Sequence, residues 1–173
     1  MNMKKLITLL FTGLSALLAA CSSYSDTIVL PVEIYNHTSK AINFNMTDAT
    51  KKDWKGGELG YEWGANGGGV SAYHSTSGSG WRVPDKWDPN YTIFFQWAGN
   101  REIYTNPKRA FVKLPKYEDN DRIFFAIHFF SNDTIKVLVT NMTPDYPNYP
   151  YGWPEDDDPK RKKKIGKRRM WDQ

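Results

Sequence analysis

Residues 122–130 read Arg-Ile-Phe-Phe-Ala-Ile-His-Phe-Phe, an apolar run in which both alternating sets of side chains are hydrophobic or aromatic. Aromatic and β-branched residues favour strands, and a strand that is apolar on both faces is typical of the centre of a sheet. The following residues, Ser131-Asn132-Asp133, suit a tight turn into residues 134–140. We therefore predict a central strand followed by an antiparallel hairpin partner.

Two earlier segments support the same fold class. Residues 27–35 and 91–97 alternate between apolar and other side chains, and residues 36–39 suit a turn before a further strand at 41–46. Residues 56–80 hold nine of the thirteen glycines, which predicts turns, bulges and closely packed backbone, with Ser77-Gly78-Ser79-Gly80 as a flexible turn. We expect an all-β or β-dominated chain, with a single antiparallel β-sandwich-like domain over residues 27–154.

The start of the chain predicts export. Lys4 and Lys5 precede an apolar run of fifteen residues from Leu6 to Ala20, which is shorter than the roughly 20 residues of a membrane-spanning helix and ends in small residues, as a cleavable signal peptide does. We assign residues 1–20 to a signal peptide.

The end of this run, Leu18-Ala19-Ala20-Cys21, resembles the bacterial lipobox, and Cys21 is the only cysteine in the chain. The resemblance implies cleavage before Cys21, acylation of Cys21 and a lipidated tether over residues 21–26, because several acyl chains hold a protein firmly on a bilayer. Ser22 rather than Asp follows Cys21, which favours the outer membrane, with the domain facing the periplasm. An ordinary secreted protein is the alternative.

The net charge of +4 is concentrated outside the predicted domain. Residues 155–173 contain eight basic and five acidic residues, whereas residues 21–154 contain 13 basic and 14 acidic ones. We predict a disordered charged tail over 155–173, which either contacts anionic lipid as a second weak anchor or is solvated. A nearly neutral exported domain is not expected to bind nucleic acid.

Side chains that could perform catalysis are sparse. No Gly-x-Ser-x-Gly motif occurs, and His37, His74 and His128 show no metal-ligand spacing. We interpret His128, which lies between phenylalanines, as a hydrogen-bonded buried histidine. We therefore expect no enzyme activity, no catalytic residues, no metal and no cofactor.

The seven tryptophans are the better candidates for binding. Trp87 and Trp97 are predicted to fill the core. Trp54, between lysines and glycines, and Trp153, between Gly152 and Pro154, are predicted to be exposed and to contact a partner.

The chain contains several distinctive motifs, which are Asn36-His37-Thr38 leading to Ile42-Asn43-Phe44, Gly67-Gly68-Gly69, Val83-Pro84-Asp85-Lys86-Trp87-Asp88-Pro89, Val112-Lys113-Leu114-Pro115-Lys116-Tyr117, His128-Phe129-Phe130 and Asn141-Met142-Thr143-Pro144-Asp145-Tyr146-Pro147-Asn148-Tyr149-Pro150. Together they resemble a family of uncharacterised bacterial lipoproteins. Many relatives have a Cys-Cys pair where this chain has Gly80-Trp81-Arg82.

Members of that family are often encoded beside type VI secretion effectors, particularly antibacterial phospholipases, and are taken to be their immunity proteins. The resemblance implies a lipoprotein that binds such a lipase stoichiometrically and neutralises it. Two alternatives stay open: an envelope module that binds glycans through exposed aromatic side chains, and an envelope hydrolase, which the missing catalytic motif disfavours.

Overall fold

The computed structural model describes residues 27–50, 66–99, 102–103 and 105–161. The predicted signal peptide, Cys21 and Trp54 lie outside these residues. Eight strands lie within the described ranges: β1 Thr27–Asn36, β2 Ile42–Asp48, β3 Asn66–Val70, β4 His74–Pro84, β5 Thr92–Gly99, β6 Lys108–Lys113, β7 Phe124–Phe129 and β8 Ile135–Thr140.

The strands form two four-stranded sheets, in the order β4-β1-β7-β8 (the first sheet) and β3-β2-β5-β6 (the second sheet). Their facing side chains make one apolar core, in which Ile93, Phe95, Phe125 and Ile127 are fully buried. The structure thus confirms the predicted β-dominated sandwich. Strand β7 lies between β1 and β8, as its two apolar faces predict, and it forms the predicted hairpin with β8.

One strand pair differs from a fully antiparallel sandwich. Strands β1 and β7 run parallel, with Ile34 opposite Ile127 and Tyr35 opposite His128. The two strands are far apart in the sequence, so a long connection allows them to point the same way. The other five pairs are antiparallel.

Residues 56–65 of the glycine-dense segment lie outside the described residues, and residues 66–70 and 74–80 form strands where turns, bulges and closely packed backbone were expected. The predicted turn Ser77–Gly80 lies inside β4, which pairs with β1 along the edge of the first sheet, with a register shift between Leu30 and Val32. Gly67, Gly68 and Gly69 lie in β3, at the edge of the second sheet. A Cβ atom at Gly69 would lie only 2.7 Å from Oδ1 of Asn43, so glycine here allows a close approach to β2 rather than a turn.

The folded part of the chain also passes the predicted domain end at Pro154. A 3-10 turn spans Pro154–Asp157, and Asp157 contacts His37 at the end of β1. The predicted tail therefore begins with residues that are attached to the first sheet by a side-chain hydrogen bond.

Candidate functional site

Part of the outer face of the first sheet, around Tyr35 and His128, is covered by an aromatic segment. After β8 the chain returns across this sheet from Asn141 to Asp157, a stretch that we call the strap. Its Tyr149 and Trp153 pack against Tyr35, with ring centroids 6.5 and 5.8 Å away. Because Tyr35 and His128 are paired across β1 and β7, their rings stack at 4.4 Å and 8°.

A chain of hydrogen bonds joins the strap to the sheet. Nδ1 of His37 lies 2.7 Å from Oδ2 of Asp157, and Nε2 of His37 lies 3.0 Å from Nδ1 of His128. Nε2 of His128 lies 2.7 Å from the hydroxyl of Tyr149. All four ring nitrogens of the two histidines have a partner when the hydroxyl of Tyr149 donates to His128, His128 donates to His37, and His37 donates to the carboxylate of Asp157. The hydrogen-bond network thus assigns the position of each proton.

Burial determines the protonation of His128 and Tyr149 in this hydrogen-bond network. Desolvation, with a smaller contribution from nearby His37, lowers the pKa of His128 to about 3. Burial also raises the pKa of Tyr149, so this hydroxyl keeps its proton. His128 is therefore a neutral imidazole at physiological pH, with one nitrogen that donates and one that accepts.

The two imidazoles of the network are buried, so that they are shielded from a substrate in solvent. His128 is fully buried and the side chain of His37 is 3% exposed, whereas that of Asp157 is 51% exposed. Both nitrogens of each imidazole already have partners. The interpretation of His128 as a hydrogen-bonded buried histidine is confirmed.

The predicted tryptophans fall in different places. Trp97 belongs to the core, and Trp87 packs against it while its indole N–H donates to the carbonyl of Leu114. Trp153 is partly buried in the strap, and its indole N–H donates to the carboxylate of Asp145 at 2.9 Å. Nearby Tyr146 is 55% exposed. The structure therefore corrects the prediction that Trp153 is exposed: its ring is partly buried against Tyr35 in an edge-to-face contact.

The sequence did not show that His37 and His128 meet. They are separated by 91 residues and approach only because β1 and β7 are parallel neighbours. The polar pair Asn36-His37 at the end of a largely apolar strand was a signal in the sequence, but residue spacing does not predict which side chain His37 contacts.

The two ends of the sandwich differ. We call one end of the sandwich the loop end. There, β1, β3, β5 and β7 end, and β2, β4, β6 and β8 begin. The opposite end contains Thr27, where the described domain begins, and we call it the N-terminal end. There, Arg122 binds both the carbonyl and the carboxylate of Asp85, and the hydroxyl of Tyr117 donates to the carbonyl of Pro84.

Acidic clusters do not form a metal site in the part of the chain that the structure describes. The carboxylate of Asp121 accepts from the backbone N–H of Glu118, and Asp119 and Glu118 pair with Arg122 and Lys116. These contacts make a polar turn before β7. Within the same described residues, no helix is long and apolar enough to cross a membrane.

The fold and the strap define a two-sheet β-sandwich protein in which His37 and His128 are part of the packed interior. The chain belongs to the family DUF3304, described as a protein of unknown function, whose family model matches residues 35–137. The match begins at Tyr35 and ends before the strap. Neither the curated proteins nor the solved structures contain a match to this chain.

Proposed function

We propose that this protein is a periplasm-facing outer-membrane lipoprotein that neutralises an antibacterial phospholipase, delivered by type VI secretion, through stoichiometric binding. Its lipid anchor would be acylated Cys21, and its partner would be the lipase protein. The lipobox-like Leu18-Ala19-Ala20-Cys21 carries the proposal, because it follows a signal-like apolar run and contains the only cysteine.

The position of the domain supports this mechanism. Strand β1 begins at Thr27, so only five residues separate it from Cys21. A short tether keeps a binding domain at high local concentration on the membrane that a phospholipase would attack.

Co-expression tests the proposal. A candidate phospholipase, encoded beside this gene, would be directed to the periplasm of a host with and without the full-length chain. We expect the chain to restore growth and to co-purify with the lipase in a fixed ratio. Survival of a lipase-carrying strain after deletion of this gene, in contact with its siblings, would contradict the immunity role.

Glycan binding is a second candidate, favoured by aromatic side chains on the strap. Tyr146 is 55% exposed and Trp153 is partly exposed, and aromatic rings with a polar edge suit stacking against sugars. Calorimetric titration with peptidoglycan fragments and lipopolysaccharide separates the candidates. Saturable binding that Trp153→Ala abolishes, without protection from any lipase, would favour the glycan module.

A further inference from the structure

Side chains attach the strap to the first sheet. Within the described ranges, no backbone–backbone hydrogen bond joins residues 141–157 to a strand, and the backbone hydrogen bonds of the strap are local turns. Beyond Met142, two hydrogen bonds lead from the strap to the rest of the described domain. The hydroxyl of Tyr149 binds Nε2 of His128, and the carboxylate of Asp157 binds Nδ1 of His37. The attachment therefore depends on the two histidines, together with the ring contacts around them.

The strap also fixes the orientation of both imidazoles. Because Asp157 holds Nδ1 of His37 and Tyr149 holds Nε2 of His128, the remaining nitrogen of each ring faces the other ring, at a distance of 3.0 Å. Only one proton fits between two nitrogens at that distance, since two N–H groups that point at each other would clash. While the strap is attached, the two histidines therefore share at most one positive charge.

The groups packed against His128 provide no carboxylate that would stabilise a charge on its own ring. The ionisable groups on its surroundings are Tyr35 and His37 from the β1 side, Tyr149 and Tyr151 from the strap, and Lys136 opposite it on β8. The carboxylates of Glu33 and Asp145 act on neighbouring Tyr35 and already accept from Ser77 and Trp153. Desolvation and nearby His37 accordingly lower the pKa of His128 to about 3.

Detachment of the strap removes the restriction on charge. Without Tyr149 and Asp157, the two rings are free to turn, and an exposed histidine takes up a proton near pH 6.5. Between that pH and about pH 3, the detached state binds one proton more than the attached state. A fall in pH thus favours detachment by up to about tenfold per pH unit. A charge on His37 alone has the opposite effect, because it strengthens the contact with Asp157; the second proton favours release.

We propose that the strap detaches from the first sheet in acid, when both histidines become charged, and uncovers the rings of Tyr35 and His128 while the two sheets stay folded. The location of the apolar core supports the last point. Within the described residues, the core cluster between the sheets contains no residue of the strap. This inference does not depend on the proposed function.

Hydrogen exchange of the full-length chain tests the proposal. Exchange is followed by mass spectrometry from pH 7.5 to pH 4.5, and each rate is divided by that of an unstructured peptide at the same pH to give a protection factor. Peptides from residues 141–157 report on the strap, and peptides from β7 report on the sandwich. His128→Asn removes the titrating ring, Tyr149→Phe removes one attachment of the strap, and His74→Ala removes an exposed histidine as the control.

We expect the protection of the strap to fall by up to about tenfold per pH unit below about pH 6.5, while β7 stays at least tenfold better protected than the strap at every pH. His128→Asn should lose this pH dependence, and His74→Ala should keep it. Tyr149→Phe should lower the protection of the strap about fivefold at pH 7 and leave that of β7 unchanged.

Three results would overturn the proposal. Equal protection of strap and β7 at each pH would show that the strap opens only when the whole domain unfolds. Protection of the wild-type strap that is constant over the pH range, or a pH dependence that His128→Asn retains, would show that the histidines do not control it. If His128→Asn does not fold, Tyr149→Phe decides the question, because unchanged protection of its strap at pH 7 would exclude the contact with His128 as an attachment.

Discussion

Nδ1 of His37 lies 2.7 Å from Oδ2 of Asp157, which joins the end of β1 to the end of the strap across 120 residues of sequence. This contact closes the aromatic layer over the first sheet, because Tyr149 and Trp153 lie on the strap just before Asp157. The part of the outer face around Tyr35 and His128 is therefore a second packed layer, whereas Val29 on the same face is 56% exposed.

The contact should stabilise the attached strap measurably. We predict that Asp157→Ala lowers the free energy of unfolding by about 1 kcal/mol, because it removes a charge-assisted hydrogen bond from a half-exposed carboxylate. Urea unfolding followed by tryptophan fluorescence measures the change. Asp156→Ala, at the exposed neighbouring position, is the control and should have little effect.

His128 should matter more, since it is fully buried and has two hydrogen bonds. We predict that His128→Ala costs about 2–4 kcal/mol, because it leaves a cavity beside Tyr35 and two polar groups without partners. Tyr149→Phe, which removes a single hydrogen bond, should cost about 1 kcal/mol. Equal losses for the two variants in chemical denaturation would contradict the central position of His128.

Acid should destabilise the fold through His128. An unfolded histidine takes up a proton near pH 6.5, whereas His128 in the fold does so only at about pH 3. Between these values the unfolded state binds more protons, so stability falls as pH decreases, by up to about 1.4 kcal/mol per pH unit. Urea midpoints from pH 7 to pH 4.5 measure this loss.

A second variant separates the contribution of His128 to the pH dependence of stability from the contributions of the carboxylates. His128→Asn should lose less stability than the wild type over the same pH range. His74→Ala, which removes an exposed histidine, should reproduce the wild-type slope. Parallel curves for wild type and His128→Asn would show that another group controls the acid sensitivity.

Arg122 should contribute more to the stability of the fold than an exposed cation does. Its side chain is 23% exposed, and its guanidinium donates to the carbonyl and carboxylate of Asp85 and to the carbonyl of Asp119. We predict that Arg122→Ala costs about 1–3 kcal/mol. Lys116→Ala, which breaks an exposed pair with Glu118, should leave the unfolding temperature nearly unchanged, because solvent screens an exposed ion pair; thermal unfolding of both variants measures the difference.

Membrane attachment provides a direct test of the predicted anchor. We expect Cys21→Ser to move the protein from the membrane fraction to the soluble periplasmic fraction, because no acyl chain can then be attached. Fractionation and immunoblotting measure the distribution, and Ser22→Ala serves as the control that keeps the cysteine. Continued membrane attachment of Cys21→Ser would contradict the lipoprotein assignment.

Local periodicity predicted the strands that are rich in apolar residues and missed those that are not. Residues 91–97 and 122–130 alternate or run apolar, and both became core strands. Strand β6, Lys108–Lys113, lies at a sheet edge and is largely exposed, so its charged sequence gave little signal. Local propensity favours turns at the glycines of β3 and β4. In the structure these glycines lie in strands, because β3 pairs with β2 and β4 pairs with β1.

The sequence by itself determined the fold class, the central position of β7 and the hairpin at residues 131–133, since these depend on the order of apolar and turn residues along a short stretch. Only the tertiary structure decided that β1 and β7 run parallel, that His37 meets His128 and Asp157, and that the strap closes over Tyr35. The reason is physical: these contacts join residues that are about 90 to 120 positions apart, and they form through backbone pairing and burial in three dimensions, which no local pattern of side chains specifies.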